Sequence, residues 1–435
     1  MKRFIIDKLE QWKNSPRSKP LIIYGARQVG KTWAMKEFGK QFYKKVAYFS
    51  FYNNPRVSQI FDNGIDLDQI IISLNIEAGF EITPEDTLII FDEIQNNLRV
   101  LESLKYFNEN ANQYHIIAAG SLLGVAIHEG VSFPVGKVDT IQLYPMNFLE
   151  FLYAIGKGML ADRIIAGDAK TFDSFSDELI FLLKNYLYIG GMPEVVNFYV
   201  KHKNYSEIRK IQNSIINQYT GDFGKHIPIR DIPRVKMVWN AIPMQLAKEN
   251  QKFFFGKMKK GARSADFEVA IQWLQDAGLI YKIHKVSAPH IPLKAYMDFS
   301  AFKIFTLDVG LLGALSDLNA KVIIEKNDIF SEFKGALTEQ FILQEMLSQT
   351  QYVPYYYSSD TSTLEIDFLI QQDDNVVPIE VKASSNVNSP SLKTYFSKFE
   401  PKKVIRFSTL KFKEQDRITN IPLYAVSLIN MLAEI

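Results

Sequence analysis

Two short stretches carry the residue types that phosphate chemistry needs. The first is Gly25-Ala26-Arg27-Gln28-Val29-Gly30-Lys31-Thr32, directly after the apolar Leu21-Ile22-Ile23-Tyr24. Glycines let such a loop curl until successive backbone N–H groups point at a phosphate, and the helix that follows adds the positive end of its dipole. Gly25 to Thr32 are therefore expected to cradle ATP, with Lys31 reaching the β- and γ-oxygens and Thr32 offering its hydroxyl to Mg²⁺. The second stretch is Thr87-Leu88-Ile89-Ile90-Phe91-Asp92-Glu93, an apolar run ending in two acids. Asp92 is expected to hold the magnesium and Glu93 to act as general base on the attacking water.

These groups work only if strands deliver them to one edge. Apolar runs begin at Leu21, Val46, Leu88, Tyr114 and Val138, separated by helical stretches. That alternation predicts an α/β sandwich around a parallel sheet. A strand between the loop strand and the Asp-Glu strand, with Glu93 as base, points to the additional-strand, catalytic-glutamate class of P-loop ATPases. Ser121, at the tip of the fourth strand, stands where such enzymes sense the γ-phosphate; a helix N-cap is the other reading.

Residues 150 to 250 show helix-period apolar positions, broken at Gly190-Gly191 and Pro193 by either a hinge or a helix terminator. Lys252, Lys257, Lys259, Lys260 and Arg263 then cluster without an acid. They lead into Ser264 as N-cap, a helical pattern through Ala277, a stop at Gly278 and the strand Leu279 to Ile283. This is the order of a winged helix, which would grip double-stranded DNA through Lys257, Lys259, Lys260 and Arg263, or dock a protein. Glu268, Gln272, Gln275 and Asp276 on the outward helix face argue against sequence-specific readout.

Beyond residue 325 a helix bearing Glu339 precedes Leu364 to Ile370, which carries Asp367, and a return strand with Glu380 and Lys382. Helix Glu, strand Asp, then Glu-x-Lys resembles the PD-(D/E)xK nuclease core. It implies two carboxylates on a second Mg²⁺, with Lys382 steadying developing charge; a polar cluster kept only for structure is the alternative.

The wider bounds come from composition. The chain has 435 residues, 50 Lys+Arg against 48 Asp+Glu, a formal charge of +2 and no Cys. That length calls for several domains, the lack of Cys excludes disulfides and thiolate metal sites, and the balanced charge leaves nucleic-acid binding to local clusters. With Asp7, Lys8 and Glu10 interrupting the first residues and no long apolar run, a cytoplasmic, non-membrane protein is expected.

Seven segments in order make the chain resemble the AAA-type ATPases of bacteria and archaea that carry an uncharacterised C-terminal region. They are Gly25 to Thr32, Leu88 to Gln95, Ala119 to Ser121, Tyr144 to Phe151, Tyr188 to Glu194, Leu307 to Leu312 and Glu380 to Lys382. The resemblance implies an ATPase domain (1–155), a helical region (156–245), a winged-helix domain (246–324) and a small α/β nuclease-like domain (325–435). Where that family shows Gly-Arg before the fifth strand, Gly136-Lys137 stands here, leaving Lys137 as a phosphate-directed charge or a solvated loop cation. No arginine is marked as a finger, and the oligomeric state stays open.

Overall fold

The structure, a computed structural model, describes residues 1–62, 64–120, 133–247, 252–258, 260–320, 323, 333–384 and 389–433. It divides into two compact units, one of residues 2–144 with 276–279, the other of residues 145–275 and 280–435.

The N-terminal unit is built on five parallel strands, β1 Leu21–Tyr24, β2 Lys45–Ser50, β3 Thr87–Asp92, β4 His115–Ala119 and β5 Asp139–Gln142, in the order β2-β3-β4-β1-β5. Their apolar runs are buried on both faces, as a parallel sheet requires: Leu21 to Ile23, Leu88 to Phe91 and Ile116 to Ala119 are fully buried. Phe49, Phe51, Phe61, Phe91 and Phe107 fill one side of the sheet, with Phe61 edge-on to Phe91 at 5.6 Å. Register sets the working edge. Asp92 pairs with Ala119, and Ala119 with Ile23, so the loop after β1 and the acids ending β3 flank the tip of β4. This is the switch point at which parallel sheets bind ligands.

The second unit opens with seven helices, from Phe148–Ala154 to Ile232–Leu246. The helix Ser176–Ile189 ends at Gly190 (φ 75°), and Pro193 starts the next, so the glycine pair terminates a helix. Gly191 also lets two backbones touch, since a Cβ there would meet the Met146 carbonyl oxygen at 2.0 Å. Ser264 does not cap a helix: a single 3₁₀ turn runs over Ser264–Asp266, and the α-helix begins at Glu268.

An eight-stranded mixed sheet follows, in the order β12-β13-β11-β10-β9-β8-β6-β7. Its strands are β6 Ile280–Val286, β7 Met297–Thr306, β8 Tyr355–Ser358, β9 Glu365–Gln372, β10 Asn375–Val381, β11 Val404–Ser408, β12 Lys413–Gln415 and β13 Ile418–Pro422. The strand Leu279 to Ile283, the start of β6, is expected in a winged-helix domain of residues 246–324. Instead β6 pairs with β8 through Lys285–Tyr356 and Val286–Tyr357, and Val286 and Leu293 join the apolar cluster of Tyr355, Ile366 and Leu369. A two-stranded hairpin has little buried face, and joining the larger sheet pairs β6 on both sides and leaves β7 as the edge strand.

One helix, Lys334–Gln349, ties this unit together with buried polar side chains. Gln340 Oε1 accepts from Thr306 N–H at 2.9 Å while its Nε2 donates to the Thr306 carbonyl at 2.7 Å. Gln344 Oε1 accepts from Val309 N–H at 2.9 Å, and its Nε2 donates to the Tyr186 hydroxyl, which in turn donates to the Met146 carbonyl. Glu345 takes the Phe148 N–H at 3.0 Å, at the start of a helix capped reciprocally by Asn147 and Glu150. Asp308 bonds the N–H of Gly191 at 2.6 Å and that of Leu311 at 3.0 Å. The segments Tyr144 to Phe151, Tyr188 to Glu194 and Leu307 to Leu312 thus meet at one buried polar knot.

Burial pushes the Asp308 carboxyl from 3.8 up to about 6, against the pull of its N–H donors. The native state therefore holds the proton to higher pH than the unfolded chain, and this contribution is full at low pH and lost as pH rises through that window. In urea titrations, the stability of wild type relative to Asp308→Asn should fall by up to about 3 kcal/mol between roughly pH 4 and pH 6 and stay level above it.

Candidate functional site

The loop after β1 curls for reasons that can be read atom by atom. Gly25 sits at φ 147°, and a Cβ there would meet the Leu143 carbonyl oxygen at 2.4 Å; Gln28 and Gly30 also have positive φ, at 65° and 98°. The helix Lys31–Phe42 starts from Gly30. Arg3 staples the loop from beneath, its guanidinium donating to the Val29 carbonyl at 3.1 Å and the Tyr144 carbonyl at 2.8 Å. Sequence reasoning missed Arg3, because an arginine before a helix carries no signal of so distant a partner.

Lys31 folds over this loop, its Nζ donating to the carbonyls of Gly25 and Ala26, each at 2.8 Å. Burial pulls its ammonium down to about 8, with Glu93 and Asp92 working the other way. Thr32 Oγ1 donates to Asp92 Oδ2 at 2.6 Å, which brings the loop hydroxyl and the β3 carboxylate together across sixty residues of chain. The Tyr48 hydroxyl from β2 donates to the same oxygen at 3.0 Å, and Glu93 N–H to the other at 3.0 Å. Tyr48 is itself fixed by the Lys36 ammonium, 3.6 Å from its ring centroid. Its signal was its place in β2, opposite Ile90 and two residues short of the Ser50–Asp92 pair.

Glu93 occupies left-handed backbone at φ 57°, unusual for this residue type. The bend turns the chain off β3 as soon as Asp92 has been delivered. Its carboxylate accepts from Gln95 Nε2. Gln95 Oε1 lies so close to β4 that a Cβ on Gly120 would meet it at 2.6 Å. Ser121 and Lys259 lie outside the described residues. Lys137 pairs with Glu109 at 2.9 Å, and Arg99, after the Asp-Glu strand, binds the Asp62 carbonyl. The solvated-loop reading of Lys137 is the one its contacts support.

These residues set hydroxyl and carboxylate oxygens and the Lys31 ammonium at the carboxyl edge of a parallel sheet. Residues 17–152 match the family described as AAA domain. They form an AAA P-loop ATPase domain. Residues 180–322 and 334–426 match two families described as domains of unknown function (DUF8612 and DUF4143). The AAA domain is thus followed by a C-terminal region whose families state no activity. No curated protein matches the chain. Among solved structures it is similar to the Walker-type ATPase PABY2304 of Pyrococcus abyssi, at 12% identity and TM-score 0.45 over 72% of this chain and 94% of the other. It is also similar to the Thermotoga maritima RuvB Holliday junction branch migration motor (12%, TM-score 0.30, 68% and 94%). A third likeness is to the Aeropyrum pernix ORC1 protein in complex with DNA (10%, TM-score 0.27, 72% and 90%). None of these scores bears on what the AAA domain acts upon. Among the described residues no helix is long and apolar enough to cross a membrane.

The C-terminal candidates also gather. Glu380 and Lys382 make an ion pair of 2.6 Å, and Ser389 Oγ donates to Glu380 at 2.8 Å. Asp367 accepts from Val381 N–H at 2.7 Å. Glu339 faces an unforeseen partner, Lys303 of β7, at 3.4 Å, and Lys303 also binds Glu365 at 2.9 Å. Among the described residues no group of three or more His, Cys, Asp or Glu is arranged to hold a metal ion. Of the basic cluster, Lys252, Lys260 and Arg263 are exposed and Lys257 is half-buried.

Gly25→Ala should leave the far-ultraviolet circular dichroism unchanged, because the strain is confined to one loop. Titration with a fluorescent ATP analogue should show affinity weakened at least about tenfold, the equivalent of about 1.4 kcal/mol.

Proposed function

We propose that the protein is a Mg²⁺-dependent ATPase that couples its nucleotide state to the C-terminal region, which acts on DNA without strong sequence preference or on a protein partner. The observation that carries the reading is the 2.6 Å contact between Thr32 and Asp92, with Lys31 and Glu93 on either side. Hydroxyl and carboxylate oxygens are the hard donors that suit Mg²⁺, and Thr32 and Asp92 would hold it; bound there, the ion neutralises charge on the β- and γ-phosphates.

The chain's own groups do the rest. The backbone of Gly25 to Thr32 cradles the phosphates. The Lys31 ammonium exchanges its bonds to the Gly25 and Ala26 carbonyls for phosphate oxygens, which favour its charged form. Tyr48 and Glu93 N–H keep the Asp92 carboxylate aimed. Glu93 takes the proton of the attacking water once its carboxylate is released from Gln95. Ser121 is assigned as the γ-phosphate sensor.

For the partner, the run Lys257, Lys259, Lys260 and Arg263 ahead of the helix Glu268–Asp276 and the β6–β7 hairpin supports contact with phosphates. Cleavage of DNA by Asp367, Glu380 and Lys382 under ATP control is the second reading, favoured only by the approach of Lys382 to Glu380.

Lys31→Ala should abolish ATP binding and turnover, while Glu93→Gln should keep binding and lose turnover by roughly 10²-fold or more. If Glu93→Gln turns ATP over at the wild-type rate, the assigned base is wrong. Affinity for duplex DNA should fall steeply with salt, and the slope should shrink when Lys257, Lys259 and Lys260 are neutralised; a flat response would turn the reading toward a protein partner.

A further inference from the structure

Four carboxylates of the C-terminal region come from three elements, and three of them are buried. Glu339 comes from the helix Lys334–Gln349, Glu365 and Asp367 from one face of β9, and Glu380 from β10, one step beyond the Ile379–Phe368 pair. Glu365, Asp367 and Glu380 are each less than a tenth exposed. Four acids in so dry a place cannot all stay charged without compensation. Burial first, then Glu380 and Glu339, push the Asp367 carboxyl well above its ordinary range.

Compensation comes from the chain itself. Lys303 is buried, with its ammonium 2.9 Å from Glu365, 3.4 Å from Glu339 and 5.2 Å from the centroid of the Tyr356 ring. Burial draws its proton affinity down, yet Glu339, Glu365 and Asp367 together hold it above the usual lysine range. Lys382 provides the second positive charge, on Glu380.

We infer that Lys303 is a tethered cation that takes the place of a divalent metal ion in this carboxylate cluster, so that the C-terminal sheet binds no catalytic metal. An ammonium neutralises carboxylates as a metal does, here by a hydrogen bond to Glu339 and an ion pair with Glu365. It has no open coordination position, so it cannot lower the pKa of a bound water or act as a Lewis acid on a phosphodiester. The sheet then serves as a rigid surface, and the ATPase reading is independent of this assignment.

The test is a Mn²⁺ titration of the full chain without nucleotide, with free ion counted by electron paramagnetic resonance. Four proteins are compared: wild type, Asp367→Asn, Lys303→Met and the double variant. Wild type and Asp367→Asn should retain the same amount of Mn²⁺. Lys303→Met should bind an additional ion, with affinity at least about tenfold above any wild-type binding at the cluster, and Asp367→Asn in that background should remove it. The inference is overturned if Asp367→Asn lowers Mn²⁺ retention by the wild type, or if folded Lys303→Met gains no Asp367-dependent ion. Should Lys303→Met fail to fold, the wild-type and Asp367→Asn pair still decides. ATP turnover plays no part in the readout, so a wrong ATPase assignment would leave the result intact.

Discussion

A carboxylate removed from water must be given N–H or O–H donors or a positive charge, because the alternative costs several kcal/mol in the low dielectric of the interior. Asp92 receives Thr32, Tyr48 and the Glu93 N–H. Asp308 receives Gly191 and Leu311, Glu345 receives Phe148, and the cluster of β9 and β10 receives Lys303 and Lys382. In each case at least one donor comes from a segment far away in sequence. Satisfying one acid therefore fixes the mutual position of several elements.

The two units use this constraint in opposite ways. Around Asp92 the donors are a hydroxyl, a phenol and a backbone N–H, all of which a metal ion can replace or rearrange. Lys31 likewise rests on carbonyls that phosphate oxygens can displace. The C-terminal cluster contains charges of its own that cannot leave.

Much of the N-terminal unit was legible in the residues. A parallel strand buried on both faces reads as an uninterrupted apolar run, so β1 and β3 lie within a residue of their expected limits, and the loop chemistry follows directly after β1. The helix ending near Gly278 was readable from its apolar period. Lys303 was not, since a lysine inside a strand reads as solvent-facing until the acids from three other elements are brought around it. Gln340, Gln344 and Glu345 were equally silent, because a polar residue on a helix shows its burial only through its partners. The strand Leu279 to Ile283 reads as part of a winged-helix domain for the same reason: local patterning cannot say which distant strand will cover an edge.

Sequence by itself determined which residues have a phosphate-binding type and spacing, and it did so because glycine torsions, helix dipoles and apolar periodicity act over a few neighbouring residues. Tertiary structure decided which groups meet: that Tyr48 supports Asp92, that three separated segments share the knot of Asp308 and Glu345, and that Lys303 enters the carboxylate cluster. Those outcomes depend on strand order and register, which are set by the burial of whole faces and cannot be computed from any short window of the chain.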